Sequence, residues 1–468
     1  MRLRHKLSKQ RTDQHPPQIH PLLRPHWPFD PSKLPFFYGW AILAACTIGI
    51  IMSIPGQTMG VSVFTDYLIE ATGVSRLQLS NAYLIGTVTS GLLLPFGGVF
   101  LDRFGTRLSV VLASVWLGLT LGYMSVCDRI AVSLSQNFNL PTSSYVAFGL
   151  LVLGFTSLRF SGQGMLTMSS RNTLGKWFDK RRGLASGIAG VFISFGFAAT
   201  PTIVNAWIEA TTWRWAWVSM GLIVSIGMGS LGWIFYRDNP EECGLQMDGK
   251  ISSAGSNQSP TDPDTRTDFT RGEALRTPAF WAVTLALSCQ ALAITGITFH
   301  IVDLGAEVGL TKAEAVALFI PMALVSTMMG SLMGFAADRI RLQFLFMGMM
   351  TALGVGIASM ANLDIVALRG LAIAGLGSSG GCFGTLSAVA LPRFFGRTHL
   401  GAISGVQMMS IVFASAIGPS WMALFKDVAG SYKMGLYCFC ILPPIILLLN
   451  WIAPNPQLQT HLPSSNSR

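Results

Sequence analysis

Gly98-Val99-Phe100-Leu101-Asp102-Arg103-Phe104-Gly105-Thr106-Arg107 decides how the rest of this 468-residue chain is read. It closes a long apolar run, and Gly334-Phe335-Ala336-Ala337-Asp338-Arg339-Ile340-Arg341 closes another in the same manner. A charged signature that recurs at the ends of two hydrophobic stretches marks a duplicated membrane protein. The composition agrees: 51% of residues are hydrophobic and only 12% charged, against roughly 25% charged in a soluble domain.

A membrane helix takes about 20 apolar residues. About twelve such runs occur, near 36–56, 78–101, 107–127, 145–175, 184–208, 214–236, 279–303, 313–337, 342–361, 364–391, 400–424 and 434–453. The predicted fold is an all-α membrane protein with twelve transmembrane helices in two pseudo-symmetric six-helix bundles. Between Arg237 and Arg276 the hydrophobicity collapses into a Ser-, Asp- and Pro-rich stretch of linker composition. The expected domains are a basic, disordered tail (1–35), a first bundle (36–236), a linker (237–277), a second bundle (278–453) and a short tail (454–468). In each half the signature follows the second span.

A net charge of +10 raises nucleic acid as a partner, so the placing of Lys and Arg has to decide. With the N-terminus inside, 23 of the 32 fall in cytoplasmic segments, 5 on the opposite side and 4 (Arg159, Arg171, Arg214 and Arg369) within spans. This asymmetry orients the chain with both termini cytoplasmic. The positive charge sets topology, and no nucleic-acid partner is expected. No short apolar leader with a small-residue cleavage site precedes the first span, so the tail is expected to be retained. The seven cysteines are scattered, and Cys438 and Cys440 lie inside an apolar run. Neither a disulfide framework nor a metal or cofactor site is expected.

The Gly98–Arg107 pattern resembles the hallmark loop of the major facilitator superfamily, and the 334–341 copy lacks its second Gly. Tyr38-Gly39-Trp40, the stretch from Lys176 to Gly187, Trp213-Arg214-Trp215 and the stretch from Asp238 to Leu245 are similar to the monocarboxylate-transporter-like branch, which includes bacterial oxalate:formate-antiporter relatives. The resemblance implies the major facilitator fold, an alternating-access carrier, and a bacterial inner (plasma) membrane location. At a cytoplasmic helix end the Asp102 carboxylate can cap helix N-termini and pair with neighbouring guanidinium groups; the resemblance implies that Gly98, Asp102, Arg103, Gly105, Arg107, Asp338 and Arg339 form a cytoplasmic gate, against ordinary solvated loop charges that serve topology.

Arg159 lies near mid-depth in the run from Ser144 to Lys176. A charge there costs at least about 2.5–3.5 kcal/mol unless it faces protein or water. Two readings stand. Arg159 grips the carboxylate of an anionic substrate, or, as in the superfamily's fourth-helix Arg-x-x-x-Gly pattern that Arg159 to Gly164 resembles, it braces neighbouring helices. Gln57, Thr58, Gln163, Gln290, Thr298, Ser378, Ser379 and Thr385, inside the first, fourth, seventh and tenth spans, are further candidates for lining the path. Gly183, Gly187, Gly190 and the glycines from Gly375 to Gly384 suit close helix contact, and Pro55-Gly56 and Gly418-Pro419 suit bends.

All 22 Asp and Glu residues fall in tails, loops or span ends. The eighth-span Asp and Arg pair of proton-coupled monocarboxylate transporters and the eleventh-span Lys of oxalate:formate antiporters are both absent. His300 in the outer third of the seventh span is the remaining candidate for a proton relay, against an ordinary hydrogen-bonded histidine. No Gly-x-x-x-x-Gly-Lys-Ser/Thr loop or His-Glu-x-x-His constellation occurs, so neither ATP hydrolysis nor intramembrane catalysis is expected. The expected function is secondary transport of a small solute, a monocarboxylate or related organic anion, with a proton or counter-substrate as coupling partner and the lipid bilayer as environment. The alternatives are an exporter of amphiphilic drugs or metabolites, and a non-transporting sensor on the same fold.

Overall fold

The computed structural model describes residues 25–137, 143–249 and 267–459. Among the described residues, eleven helices are long and apolar enough to cross a membrane. One of them, Arg76–Met124, has 49 residues, about 73 Å at 1.5 Å per residue and more than twice an apolar core of roughly 30 Å. It is two spans joined at Gly105, whose φ of 80° breaks the helical geometry. Counted that way, the described residues hold twelve spans. Among the described residues there is no strand.

Local chemistry sets the ends of these helices. Ser75 and Gln78 form a capping box that starts the second span, and Thr311 and Glu314 form another that leads into the eighth. The first span, Gly39–Met52, gives way to a tight turn at Ile54–Gly56 and an extended Gln57 before the short helix Thr58–Ser62. Pro55 lacks the amide N–H that a continuous helix would use there. The fourth span, Ser144–Trp177, contains a wide turn over Arg159–Leu166. Gly162 of that turn rests against Gly56, where a Cβ on either residue would meet the other's backbone.

The buried apolar residues form two separate hydrophobic cores. One is built only from residues between Tyr38 and Cys243, the other only from residues between Ala274 and Ile446. The bundles meet where the second span packs on the eleventh (Leu400–Ala429) and the fifth (Arg182–Ala210) on the eighth (Lys312–Ala337). Apolar side chains such as Phe96, Leu119, Ile320 and Val428 face outward, as a lipid environment requires. The protein is an integral, multi-pass membrane protein.

Two flanking segments depart from expectation. Within the 1–35 tail expected to be disordered, residues 25–35 pack on the end of the sixth span: the Arg237 guanidinium donates to the carbonyls of Pro25 (2.6 Å) and Trp27 (3.1 Å) and lies over the Phe29 ring. A buried guanidinium with five donors draws in chain carbonyls, which composition alone did not disclose. In the linker, Asp248 accepts from the backbone amides of Asp179, Lys180 and Arg181. Residues 1–24, 250–266 and 460–468, parts of the tails and linker, lie outside the described residues.

Gly105 carries the turn between spans two and three, and a Cβ there would collide with the Asp238 carboxylate. Gly105→Val should cost about 1–3 kcal/mol through strain in the left-handed region, read as a lower unfolding midpoint in detergent. Gly122→Ala, a helical site with open space around it, should show no loss.

Candidate functional site

The loops that carry most of the basic residues define one face of the bundle, and at this face the halves are locked together. The Asp102 carboxylate, at the end of the second span, accepts from Gly401 N and Ala402 N, both at 2.7 Å. These amides belong to the first turn of the eleventh span, where no intrahelical acceptor exists. The same construction recurs in the other half. Asp338 accepts from Gly183 N (2.7 Å) and Leu184 N (3.0 Å) in the first turn of the fifth span. Burial pushes the Asp338 carboxyl above its ordinary pKa, with the two amides pulling the other way.

Glycine makes the approach close enough for this. A Cβ on Gly98 would overlap the Gly401 carbonyl, and one on Gly183 would overlap that of Gly334. Arg397 adds contacts across the same face, donating to the Lys176 carbonyl (2.9 Å) and pairing with Glu241 (3.0 Å).

The hallmark loop therefore divides its labour. Gly98 and Asp102 reach across to the other bundle, while Gly105 and Arg107 stay within their own. Thr106 N donates to Asp238, and Arg107 Nε to the Tyr236 carbonyl at 3.1 Å, holding the loop to the end of the sixth span. Arg103 and Arg339, expected in the gate, turn aside: Arg103 lies over the Phe104 ring, and Arg339 over Phe335.

Of the four guanidinium groups within spans, Arg214 forms a two-pronged pair with Asp128 at 2.7 and 2.8 Å, and Arg369, in the first turn of the tenth span (Val366–Phe395), donates to the Leu363 carbonyl. Arg159 and Arg171 lie deeper, and no salt bridge holds either among the described residues. Arg159 is 2% exposed. Its Nη1 reaches Thr58 Oγ1 (3.3 Å) and the Gly56 carbonyl (3.5 Å), and it sits 5.3 Å from the Tyr83 ring centre. Tyr83 in turn hydrogen-bonds Thr58 at 2.9 Å. The geometry is that of a brace between the broken first span, the second span and the wide turn of the fourth.

The remaining candidates disperse. Gln57 bonds Ser53 and Thr167 beside this brace, and Gln163 is half-buried on the same wide turn. Across the interface, Ser379 and Thr385 spend their hydroxyls on the carbonyls of Leu376 and Gly330. Gln290 is buried near Gly380, Ser378 is half-buried and Thr298 is exposed. His300 Nε2 lies 3.0 Å from the Pro419 carbonyl, which can only accept, so that nitrogen carries a proton and Nδ1 faces the Tyr432 hydroxyl at 3.2 Å. Both ring nitrogens are thus engaged among helix ends of one bundle.

Arg171, counted from sequence only as a charge within a span, is a functional candidate that the structure brings forward. It is half-buried between the bundles, with Nη1 donating to Ser387 Oγ of the tenth span at 3.1 Å. Next to it Asn172 donates to Ser404 of the eleventh at 2.8 Å. Its place among the few charges within spans was visible, but its direction was hidden by the wide turn upstream, which shifts the helical phase by roughly one residue.

Two six-helix bundles joined by reciprocal Asp caps, with two arginines at their interior that have no salt bridge among the described residues, have the architecture of a multi-pass membrane transporter. The chain belongs to the Major Facilitator Superfamily, whose pattern matches residues 34–419. It is 20% identical over 392 residues to the oxalate:formate antiporter of Oxalobacter formigenes, covering 82% of this chain and 84% of that protein. It is 24% identical over 424 residues to monocarboxylate transporter 1 of Mus musculus, covering 85% and 80%. Among solved structures, the proton:xylose symporter XylE bound to 6-bromo-6-deoxy-D-glucose matches with a TM-score of 0.65 at 15% identity, over 90% of this chain and 98% of that one. The human organic anion transporter MFSD10 (TETRAN) matches at 0.59 and 13% identity, over 88% and 99%. The family and these relatives are transporters rather than enzymes.

The latch gives a directional expectation. Replacing a helix cap costs about 0.5–2 kcal/mol, so Asp102→Ala or Asp338→Ala should shift the open population of the basic face about 2- to 30-fold. Maleimide labelling of Leu391→Cys, buried at this interface, should accelerate accordingly. Arg103→Ala should leave the labelling rate unchanged.

Proposed function

We propose that the protein is a secondary active carrier that moves a small organic anion, a monocarboxylate or close relative, by alternating access. In this reading the membrane is a bacterial inner membrane, the basic face and both termini are cytoplasmic, and the Asp102 and Asp338 caps hold that face shut.

One observation carries the choice of cargo: the spans hold two deep guanidinium groups, Arg159 and Arg171, and all 22 carboxylates lie in tails, loops or span ends. An interior that is positive and without internal counter-charge attracts anions and repels cations. That weighs against export of cationic amphiphiles. Exchange against a counter-anion suits such an interior better than coupling to a proton, because the carboxylates lie in tails, loops or span ends and none lies at mid-depth. The names of the oxalate:formate and monocarboxylate relatives support the same cargo class.

The test is counterflow. Proteoliposomes loaded with unlabelled acetate, propionate or oxalate should accumulate the labelled form transiently, and a quaternary ammonium compound should give no signal. Exchange of cationic or neutral solutes without carboxylate exchange would reject the anion assignment. Correctly inserted protein with no exchange of any solute would point instead to a sensor.

A further inference from the structure

Arg171 stands where the two bundles meet, twelve residues beyond Arg159 and so about 18 Å further along the fourth span toward the basic face. Two adjoining cavities share its side chain. The smaller, about 20 Å³, is bounded by Asn172, Ser387, Ser404 and Gln407. The larger, about 90 Å³, is bounded by Ser186, Ser326, Gly380, Gly384 and Thr385. Apolar side chains such as Met168, Leu391 and Ile411 in the smaller cavity and Ile50 and Ile193 in the larger complete the walls, and neither cavity has a charged lining residue besides Arg171.

Gln407 supplies an independent observation. It is 5% exposed, it borders the smaller cavity, and its Nε2 has no hydrogen-bond partner. Buried amide donors are nearly always satisfied, so one left open beside a cavity asks for an acceptor. Bordering the same cavity, the Arg171 fork has five N–H donors and shows one hydrogen bond, to a neutral hydroxyl. A guanidinium fork and an open amide donor on one cavity, with no acid in its lining, are the donor set of a carboxylate receptor.

We propose that Arg171 and Gln407 form a carboxylate-binding site between the bundles, with the carboxylate in the smaller cavity and the body of a short-chain acid in the larger. This rests on the anion reading above and assigns the receptor to Arg171, whose hydrogen bond crosses to the other bundle, instead of Arg159, whose bonded Nη1 lies against the first span of its own bundle and whose Nε has no partner. A single fork and a single amide match the two oxygens of a planar carboxylate. On binding, the anion takes the place of Ser387 as the partner of Arg171.

The experiment is a binding titration on the purified full-length protein with acetate, propionate and oxalate at constant ionic strength, and acetamide as the neutral isostere. Wild type should bind the carboxylates and ignore acetamide. Arg171→Gln and Gln407→Leu should each weaken carboxylate binding by at least about tenfold. Arg171→Lys, which keeps the charge and loses the fork, should fall between wild type and Arg171→Gln. Should Arg171→Gln fail to fold, Arg171→Lys and Gln407→Leu decide the matter. A wild type that binds carboxylates together with folded variants that bind them equally well would overturn the site and leave the anion reading standing. A wild type that binds none, in a preparation that also shows no carboxylate counterflow, would overturn both.

Discussion

The first turn of a helix presents backbone N–H groups that the helix cannot satisfy, and when that turn is buried against protein something else must accept from them. Here the starts of the fifth and eleventh spans are both buried against the opposite bundle, and in both cases the acceptor is an Asp from that bundle. Each half thereby completes a helix of the other. The closed basic face follows, because the Gly98–Gly401 and Gly183–Gly334 approaches bring the carboxylates into range of the amides. A cap suits a reversible contact: parting the bundles exposes both carboxylate and amides to water, which can solvate each of them.

The interior obeys a second constraint, the scarcity of charge. In a bilayer an ionised group must find a partner, reach water or serve a function. Arg214 has Asp128, and Arg159 has a hydroxyl, a carbonyl and an aromatic ring holding three segments together. These contacts all lie within one bundle. Arg171 differs in kind. Its hydrogen bond runs to the other bundle, so its surroundings change whenever the bundles move relative to each other.

The division between what was readable and what was not follows sequence separation. Spans of about twenty apolar residues, the linker composition and the repeated Asp-Arg signature are local features, and the twelve-span, two-bundle arrangement could be read from them. That Asp102 caps a helix was also readable as chemistry. Its acceptor role toward Gly401, 299 residues away, was not. Arg159 attracted attention by depth alone, and depth does not report direction. Arg171 stood only in the tally of charges within spans, and the wide turn at Arg159–Leu166 shifts the phase of every later residue in that span, so its direction toward the other bundle is not legible from sequence spacing. His300 has the same lesson, since the groups that hold it, Pro419 and Tyr432, are over a hundred residues distant.

The latch and the inter-bundle arginine are physically continuous. Asp102 holds the amide of Gly401; the Gly401 carbonyl accepts from Ser404 Oγ; Ser404 accepts from Asn172; and Asn172 adjoins Arg171, which holds Ser387. The links from Asp102 to Ser387 pass from the first bundle to the second, back and across again within about two helical turns of the basic face. A change in the partner of Arg171 is therefore made next to the bond between Asn172 and Ser404, one turn from the cap itself. Two states of such a chain can differ by only a few hydrogen bonds. A ligand that engages Arg171 better in one of them shifts the balance by its difference in affinity between the two, which is the physical requirement for cargo and gate to be coupled.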